Sequence, residues 1–370
     1  MKKRFDVRSI IRPDLLELPG YVPITPTDML AARLGVPPER VLKLDGNENP
    51  YGPSEKALEA IRNVRDFHIY PDPDQRKARE AIASYVGVDA ERIVCGLGSD
   101  DLIDLIMRAV LSPGDAVINC PPTFGMYPFS AEVAGGRVLA VPRREDFSLD
   151  IDGIARAARD AKAIFLASPN NPSGNLVDER ELQALLELDL LVVIDEAYIE
   201  FAGREHSAVR LTSEYENLVV LRTFSKWAGL AGLRAGYGVL PLELAKLLMV
   251  IKQPYNLNVA AGVALVAAID DREALDERAC VIAGTRDRLC ELLRSIDWVS
   301  PYPSSANFIL CRLEGMDARE VKELLAKRGI FVRYFDTEGL RNHLRISVGL
   351  EEHNAIVVGA LREIGGELGR

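Results

Sequence analysis

Between residues 90 and 240 the chain alternates short apolar runs with longer amphipathic ones. The runs at 92–97, 116–120, 137–141, 163–167, 190–194, 218–221 and 235–240 have the length and continuity of strands buried on both faces. Segments of helical period lie between them, such as 100–111 and 178–188. This alternation predicts an α/β domain with a mostly parallel sheet covered by helices. Ser99 is the predicted N-cap of the first of these helices, with Asp100 and Asp101 in its dipole-favoured first turn.

The texture changes after Gln253-Pro254. An Ala-rich helical run at 259–269 and a charged amphipathic one at 272–293 come first. Strand patterns then return at 307–311, 330–333 and 344–348, with a helix at 318–328, which suits a smaller α+β domain. At the other end, prolines at 13, 19, 23, 37 and 38 break regular structure, leaving one helix near 26–34. The expected organisation is an N-terminal arm over 1–45 packing with the small domain, a large domain over 46–252, and the small domain over 253–370. A chain of 370 residues exceeds one comfortable core, in keeping with that division.

Composition narrows the function classes. The formal net charge of −10 argues against a nucleic-acid partner or an anionic membrane surface. The apolar runs are too short to cross a bilayer, and the basic N-terminus lacks the apolar stretch of a secretory signal, so the cytoplasm is the expected compartment. Five cysteines without a CxxC pair and four histidines without an HxxxH pair predict no structural zinc site.

In parallel sheets, ligands gather at the carboxyl ends of the strands. Here those exits read Gly98-Ser99-Asp100, Ser168-Pro169-Asn170-Asn171-Pro172, Asp195-Glu196-Ala197-Tyr198 and Thr223-Phe224-Ser225-Lys226. Singly, these are ordinary features: a helix cap, a turn, an ion-pair partner. Lys226 is different. It opens Trp227-Ala228-Gly229-Leu230-Ala231-Gly232-Leu233, with no further charge before Arg234. Apolar company lowers a lysine's pKa and favours the neutral amine, which condenses with aldehydes.

Thr223-Phe224-Ser225-Lys226, with Gly229-Leu230-Ala231-Gly232-Leu233-Arg234-Ala235-Gly236-Tyr237, resembles the lysine signature of class II aminotransferases of the aspartate-aminotransferase fold. Ser168-Pro169-Asn170-Asn171-Pro172-Ser173-Gly174 and Asp195-Glu196-Ala197-Tyr198 match two more motifs of that family in the same order. The resemblance implies a pyridoxal-phosphate enzyme, with Lys226 holding the cofactor as a Schiff base and then shuttling the substrate proton. It also implies that Asp195 pairs with the pyridine nitrogen, while Asn171 and Tyr198 bond the phenolic oxygen. Ser99, Asp100, Thr223, Ser225 and Arg234 would cradle the phosphate, and Phe124, where many relatives carry Tyr, would stack on the ring.

Further matches point to one branch. Leu44-Asp45-Gly46-Asn47-Glu48-Asn49-Pro50-Tyr51-Gly52-Pro53, Tyr70-Pro71-Asp72-Pro73 and Pro19-Gly20-Tyr21-Val22-Pro23 resemble the histidinol-phosphate aminotransferase family, as do Gly329-Ile330-Phe331-Val332-Arg333 and Leu344-Arg345-Ile346-Ser347-Val348-Gly349. That resemblance implies a homodimer in which Tyr70 reaches the neighbouring subunit's cofactor phosphate, next to an Ile69 where many relatives carry Arg. The substrates implied are histidinol phosphate and glutamate or 2-oxoglutarate. Arg345 would bind a carboxylate or phosphate, Arg333 would add a second cation, and Tyr21 and Asn49 would line the imidazole side. The rival activities are an aromatic amino acid aminotransferase and a threonine-phosphate-type decarboxylase on the same residues. A Rossmann dehydrogenase is excluded by the lack of a GxGxxG after an early strand.

Overall fold

The computed structural model describes residues 5–369, so the first four residues of the basic N-terminus and Arg370 lie outside it. The described strands, in chain order, are β1 (Leu42–Leu44), β2 (Ile93–Gly96), β3 (Ala116–Asn119), β4 (Arg137–Ala140), β5 (Ala163–Ala167), β6 (Leu191–Asp195), β7 (Leu218–Thr223), β8 (Gly236–Val239), β9 (Val299–Pro301), β10 (Phe308–Leu313), β11 (Ile330–Tyr334) and β12 (His343–Ser347).

Seven of them form one sheet in the order β2-β8-β7-β6-β5-β3-β4. The pairs β3–β4, β3–β5, β5–β6 and β6–β7 are parallel, and only β8 runs against its neighbours. Every residue of β2, β3, β5, β7 and β8 is buried, as continuous apolar runs demand when helices cover both faces. This is the mostly parallel α/β sheet expected from the sequence.

The second sheet has the order β1-β11-β12-β10-β9. Its strands are antiparallel except for β1, which adds to β11 in parallel, with Leu42 opposite Ile330 and Leu44 opposite Val332. The end of the N-terminal arm is thus a sheet strand, and three residues are too few to signal one by their pattern. Gly329 makes the docking tight: at φ +80 a Cβ there would stand 3.0 Å from Arg40 O.

One difference concerns helix Val259–Asp270, which its place in the chain assigns to the second layer. It packs on helices Glu55–Arg62 and Arg76–Val86, the second of which lies against β2 of the first sheet. Its small residues Ala261, Ala264 and Ala268 are buried there. Hydropathy announces that a helix face is covered, and says nothing of what covers it. Helix Arg272–Arg294 then carries the chain over to β9 of the second sheet. Apolar residues of both sheets belong to one contact-connected core, from Leu44 through Ile194 and Phe308 to Ile364.

Candidate active site

The carboxyl ends of β5, β6 and β7 converge on one cavity with the loop after β2. Ser99, Asp100, Phe124, Asn171, Asp195, Tyr198, Thr223, Ser225, Lys226 and Arg234 all line it. Strand alternation explains why. Asp195 and Thr223 face the cavity, whereas their neighbours Glu196 and Arg222 turn to the opposite face, where they form a fully buried ion pair at 2.9 Å.

Lys226 sits on the loop after β7, partly buried, and its Nζ donates to Gly46 O at 3.0 Å. Desolvation, reinforced by the nearby Arg345 charge, pushes its pKa down to about 8. Asp195 is deeply buried. Tyr127 Oη donates to its Oδ2 at 2.9 Å and Ala197 N to its Oδ1 at 3.1 Å. Burial nevertheless pushes this carboxyl up to about 7. Two neutral donors do not replace the water that the carboxylate has lost, and no cation pairs with Asp195 among the described residues.

The other end of the cavity is built from backbone. Gly98, at φ 81, is the actual N-cap of helix Ser99–Val110, so Ser99 is its first residue and makes no capping bond. Asp101 Oδ2 accepts instead from Leu97 N, before the helix, at 3.0 Å, which leaves the first-turn N–H groups open. The first-turn N–H groups of that helix have no intrahelical partner and form an anion site with the helix dipole. Arg234 closes the cradle, donating to Ser225 Oγ at 3.2 Å and to Asp100 Oδ2 at 3.2 Å. A Cβ at Gly98 would come within 2.6 Å of Arg234 Nη2, so the guanidinium reaches the cradle only over a glycine.

A second, wider cavity adjoins the first and shares Asp100, Phe124, Asn171, Tyr198, Lys226 and Arg234 with it. Tyr21, Arg333 and Arg345 line its outer part. Arg345, on β12, is buried. It donates from Nη1 to Asn171 Oδ1 at 2.6 Å and from Nη2 to Asp45 O at 2.5 Å, while its Nε has no partner. No carboxylate pairs with it among the described residues, and desolvation lowers its pKa to about 10. Arg333 holds the arm through Val22 O at 3.1 Å, and Tyr21 packs edge-on to Phe124 with centroids 6.3 Å apart.

One residue expected at the site lies elsewhere. Asn49 lines a separate cavity and donates to Trp227 O at 2.8 Å, anchoring its loop rather than facing Tyr21. Tyr70 is 77% exposed and stacks on Tyr255 with centroids 4.4 Å apart, outside its own subunit's cavity. Conversely, Tyr127, three residues after Phe124, and Asn47, two residues before Asn49, belong to the site without having been expected from the sequence. An aromatic three residues after Phe124, at the start of helix Met126–Val133, is a usable signal for Tyr127. Nothing local marks Asn47.

Residues 39–361 match the family model of aminotransferase class I and II. The chain belongs to that family. This aminotransferase is 50% identical over 371 residues to a histidinol-phosphate aminotransferase of Roseiflexus castenholzii, covering 97% of this chain and 99% of the relative. It is 48% identical over 358 residues to the chloroplastic histidinol-phosphate aminotransferase 1 of Arabidopsis thaliana, covering 96% and 86%. Among solved structures, the histidinol-phosphate aminotransferase from Sinorhizobium meliloti in complex with pyridoxal-5'-phosphate superposes with a TM-score of 0.88 at 29% identity, covering 97% and 98%. The aminotransferase has the aspartate-aminotransferase-like architecture. No described helix is long and apolar enough to cross a membrane.

Proposed function

We propose that this aminotransferase uses pyridoxal phosphate to exchange an amino group between histidinol phosphate and 2-oxoglutarate, a step of histidine biosynthesis in the cytoplasm. The observation that carries the substrate reading is Arg345: a buried guanidinium with a free Nε and no carboxylate partner among the described residues, in the cavity that Lys226 shares. An unpaired buried charge is costly, and an anionic substrate group removes that cost. Arg333, lining the same space, supplies a second cation for a phosphate dianion. A guanidinium fork fits a carboxylate or a phosphate equally well, so the one site serves both substrates. The names of the relatives point the same way.

The residues fit the cofactor on their own chemistry. Asp195 lacks a cation among the described residues, which a protonated pyridine nitrogen provides. The helix N-terminus, with Thr223, Ser225 and Arg234, suits a phosphate, and Phe124 offers a ring face. When bound, pyridoxal phosphate supplies an aldehyde that captures amines and a ring that stabilises negative charge on the amine-bearing carbon. Lys226 Nζ would accept the proton leaving that carbon and deliver it to the cofactor's former aldehyde carbon, which a pKa lowered to about 8 favours near neutrality. Asp195 keeps the ring nitrogen protonated. Tyr21, brought against Phe124 by the arm, excludes water from the cavity.

Function also requires a second copy of the chain in this proposal. Phe67, Ile69, Tyr70 and Tyr255 are exposed apolar or aromatic residues, Tyr70 stacked on Tyr255, and Tyr70 would be offered to a partner's phosphate cradle. The test of substrate is a half-reaction. Purified protein loaded with pyridoxal phosphate and given histidinol phosphate alone should convert its cofactor to the amine form and release the keto product. Faster conversion by phenylalanine or tyrosine would overturn the substrate. Release of carbon dioxide from a phosphorylated amino acid without consumption of 2-oxoglutarate would overturn the reaction.

A further inference from the structure

Tyr198 Oη accepts a hydrogen bond from Asn47 Nδ2 at 3.1 Å and makes no other among the described residues. A phenol whose lone pair is engaged on one side keeps its own hydrogen for another acceptor. Phe308 covers the tyrosine ring edge-on, with centroids 5.1 Å apart, and the remaining open direction is the cavity.

Asn47 has little freedom to do anything else. It is 1% exposed, and its backbone sits at φ 52, a left-handed conformation that asparagine tolerates better than most residues. Its N–H donates to Ser347 Oγ at 2.9 Å, and Ser347 Oγ returns its hydrogen to Asn47 Oδ1 at 2.8 Å. Asn307 Nδ2 donates to Asn47 O at 3.0 Å. With Oδ1 taken by the serine hydroxyl, the amide presents Nδ2 to Tyr198 in the arrangement that satisfies both of its ends. Ser347 ends β12, and Asn307 immediately precedes β10, so the second sheet holds this asparagine from two strands.

We infer that Asn47 is a positioning residue for amino transfer, one that obliges the Tyr198 hydroxyl to donate its hydrogen into the cavity, toward the phenolic oxygen of the cofactor. The inference rests on the pyridoxal-phosphate reading of the site. Its consequence is electrostatic. Donation to that oxygen stabilises the form in which its negative charge is least neutralised, which is the high-pH form with the Lys226 nitrogen unprotonated. Loss of the donor therefore raises the pH at which the bound cofactor changes colour.

The experiment compares pH titrations of visible absorption in holoenzyme. Asn47→Gly suits the left-handed backbone and removes the amide. It should raise the midpoint by roughly half a unit or more, part of the roughly one unit that a hydrogen bond to a charged group accounts for. Tyr198→Phe should raise it at least as far, and Asn47→Gly added to Tyr198→Phe should move it no further. Ser347→Ala, which only frees the amide to turn, should give a smaller rise that Tyr198→Phe likewise cancels. An unmoved midpoint in Asn47→Gly, or an equal shift with and without the Tyr198 hydroxyl, overturns the role of Asn47. If wild-type protein mixed with pyridoxal phosphate shows only the spectrum of the free compound, the reading of the cavity itself falls.

Discussion

Asp195 and Lys226 illustrate how one burial acts on two charges in opposite senses. Desolvation raises the carboxyl to about 7 and lowers the amine to about 8, bringing both near the pH at which they must exchange or hold protons. For Asp195 the sign of the stability effect follows from linkage. Between its ordinary value of 3.8 and about 7, the cofactor-free folded chain binds more protons than the unfolded one. Its stabilising protonation is complete below that window and is lost as pH rises through it. Glu200, raised by burial from 4.5 to about 7, acts with the same sign. Cofactor-free protein should accordingly show a falling denaturant midpoint from acid to neutral pH. Asp195→Asn should flatten part of that slope, and loading with pyridoxal phosphate should do the same by supplying a cation. Identical slopes for the variant and the wild type would show that Asp195 is not desolvated as described.

Strand β7 owes its usefulness to alternation. One face gives Thr223 to the cavity, and the other buries Arg222 against Glu196, with Nε donating to Glu196 Oε2 at 3.0 Å and Nη2 to Ser207 Oγ at 2.7 Å. The pair fixes the register of β6 against β7 directly behind the cofactor-facing residues. Removing Arg222 leaves Glu196 and Glu200 buried without that cation. Arg222→Met should therefore destabilise the protein by about 3–5 kcal/mol in denaturant unfolding. Replacing Arg222, Glu196 and Glu200 together by apolar residues should restore much of that loss, since Glu200 Oε1 also lies 3.7 Å from Arg222 Nη1 and no member of the buried cluster then keeps a charge. A single variant as stable as wild type would mean that the pair contributes little. Helix starts on the two sheets are governed by cues visible in the chain: Asp178 with Glu181 forms a capping box, and Asn258 and Asp317 cap their helices. The helix carrying the anion site departs from that rule, because its cap position is given to Gly98 and its first turn is left open.

The whole molecule adds what no single element has. Arg333 and Arg345 come from the second sheet and Lys226 from the first, so the wider cavity exists only where the two layers meet. Where the layers meet, Gly174 O accepts from Ser305 N at 2.8 Å, and a Cβ on Gly174 would strike Ser304. The dimer proposal extends the same logic to a second chain. Lys226→Ala and Tyr70→Ala enzymes should each be inactive alone. Mixed and allowed to exchange subunits, they should form hybrids in which one site has both residues intact. Recovered turnover on mixing supports the shared site. No recovery, with hybrids demonstrated by differential tagging, would overturn the contribution of Tyr70.

Much of this protein is legible in its chain because the physics involved is local. Period-two and period-3.6 hydropathy set the elements. The polar residues ending apolar strands lie where parallel sheets place ligands, so chain order alone groups Ser99, Asn171, Asp195 and Lys226. Contacts across long separations are not legible. Tyr127 reaches Asp195 across 68 residues and Asn47 reaches Tyr198 across 151, and no neighbouring residue reports such a meeting. Asn49 and Asn47 look equivalent in one motif, yet the left-handed turn at Asn47 sends one amide to Tyr198 and the other to Trp227 O. Hydropathy records that a position leaves water. Which surface receives it, and which hydrogen bonds it then makes, are settled only when the two sheets close on each other.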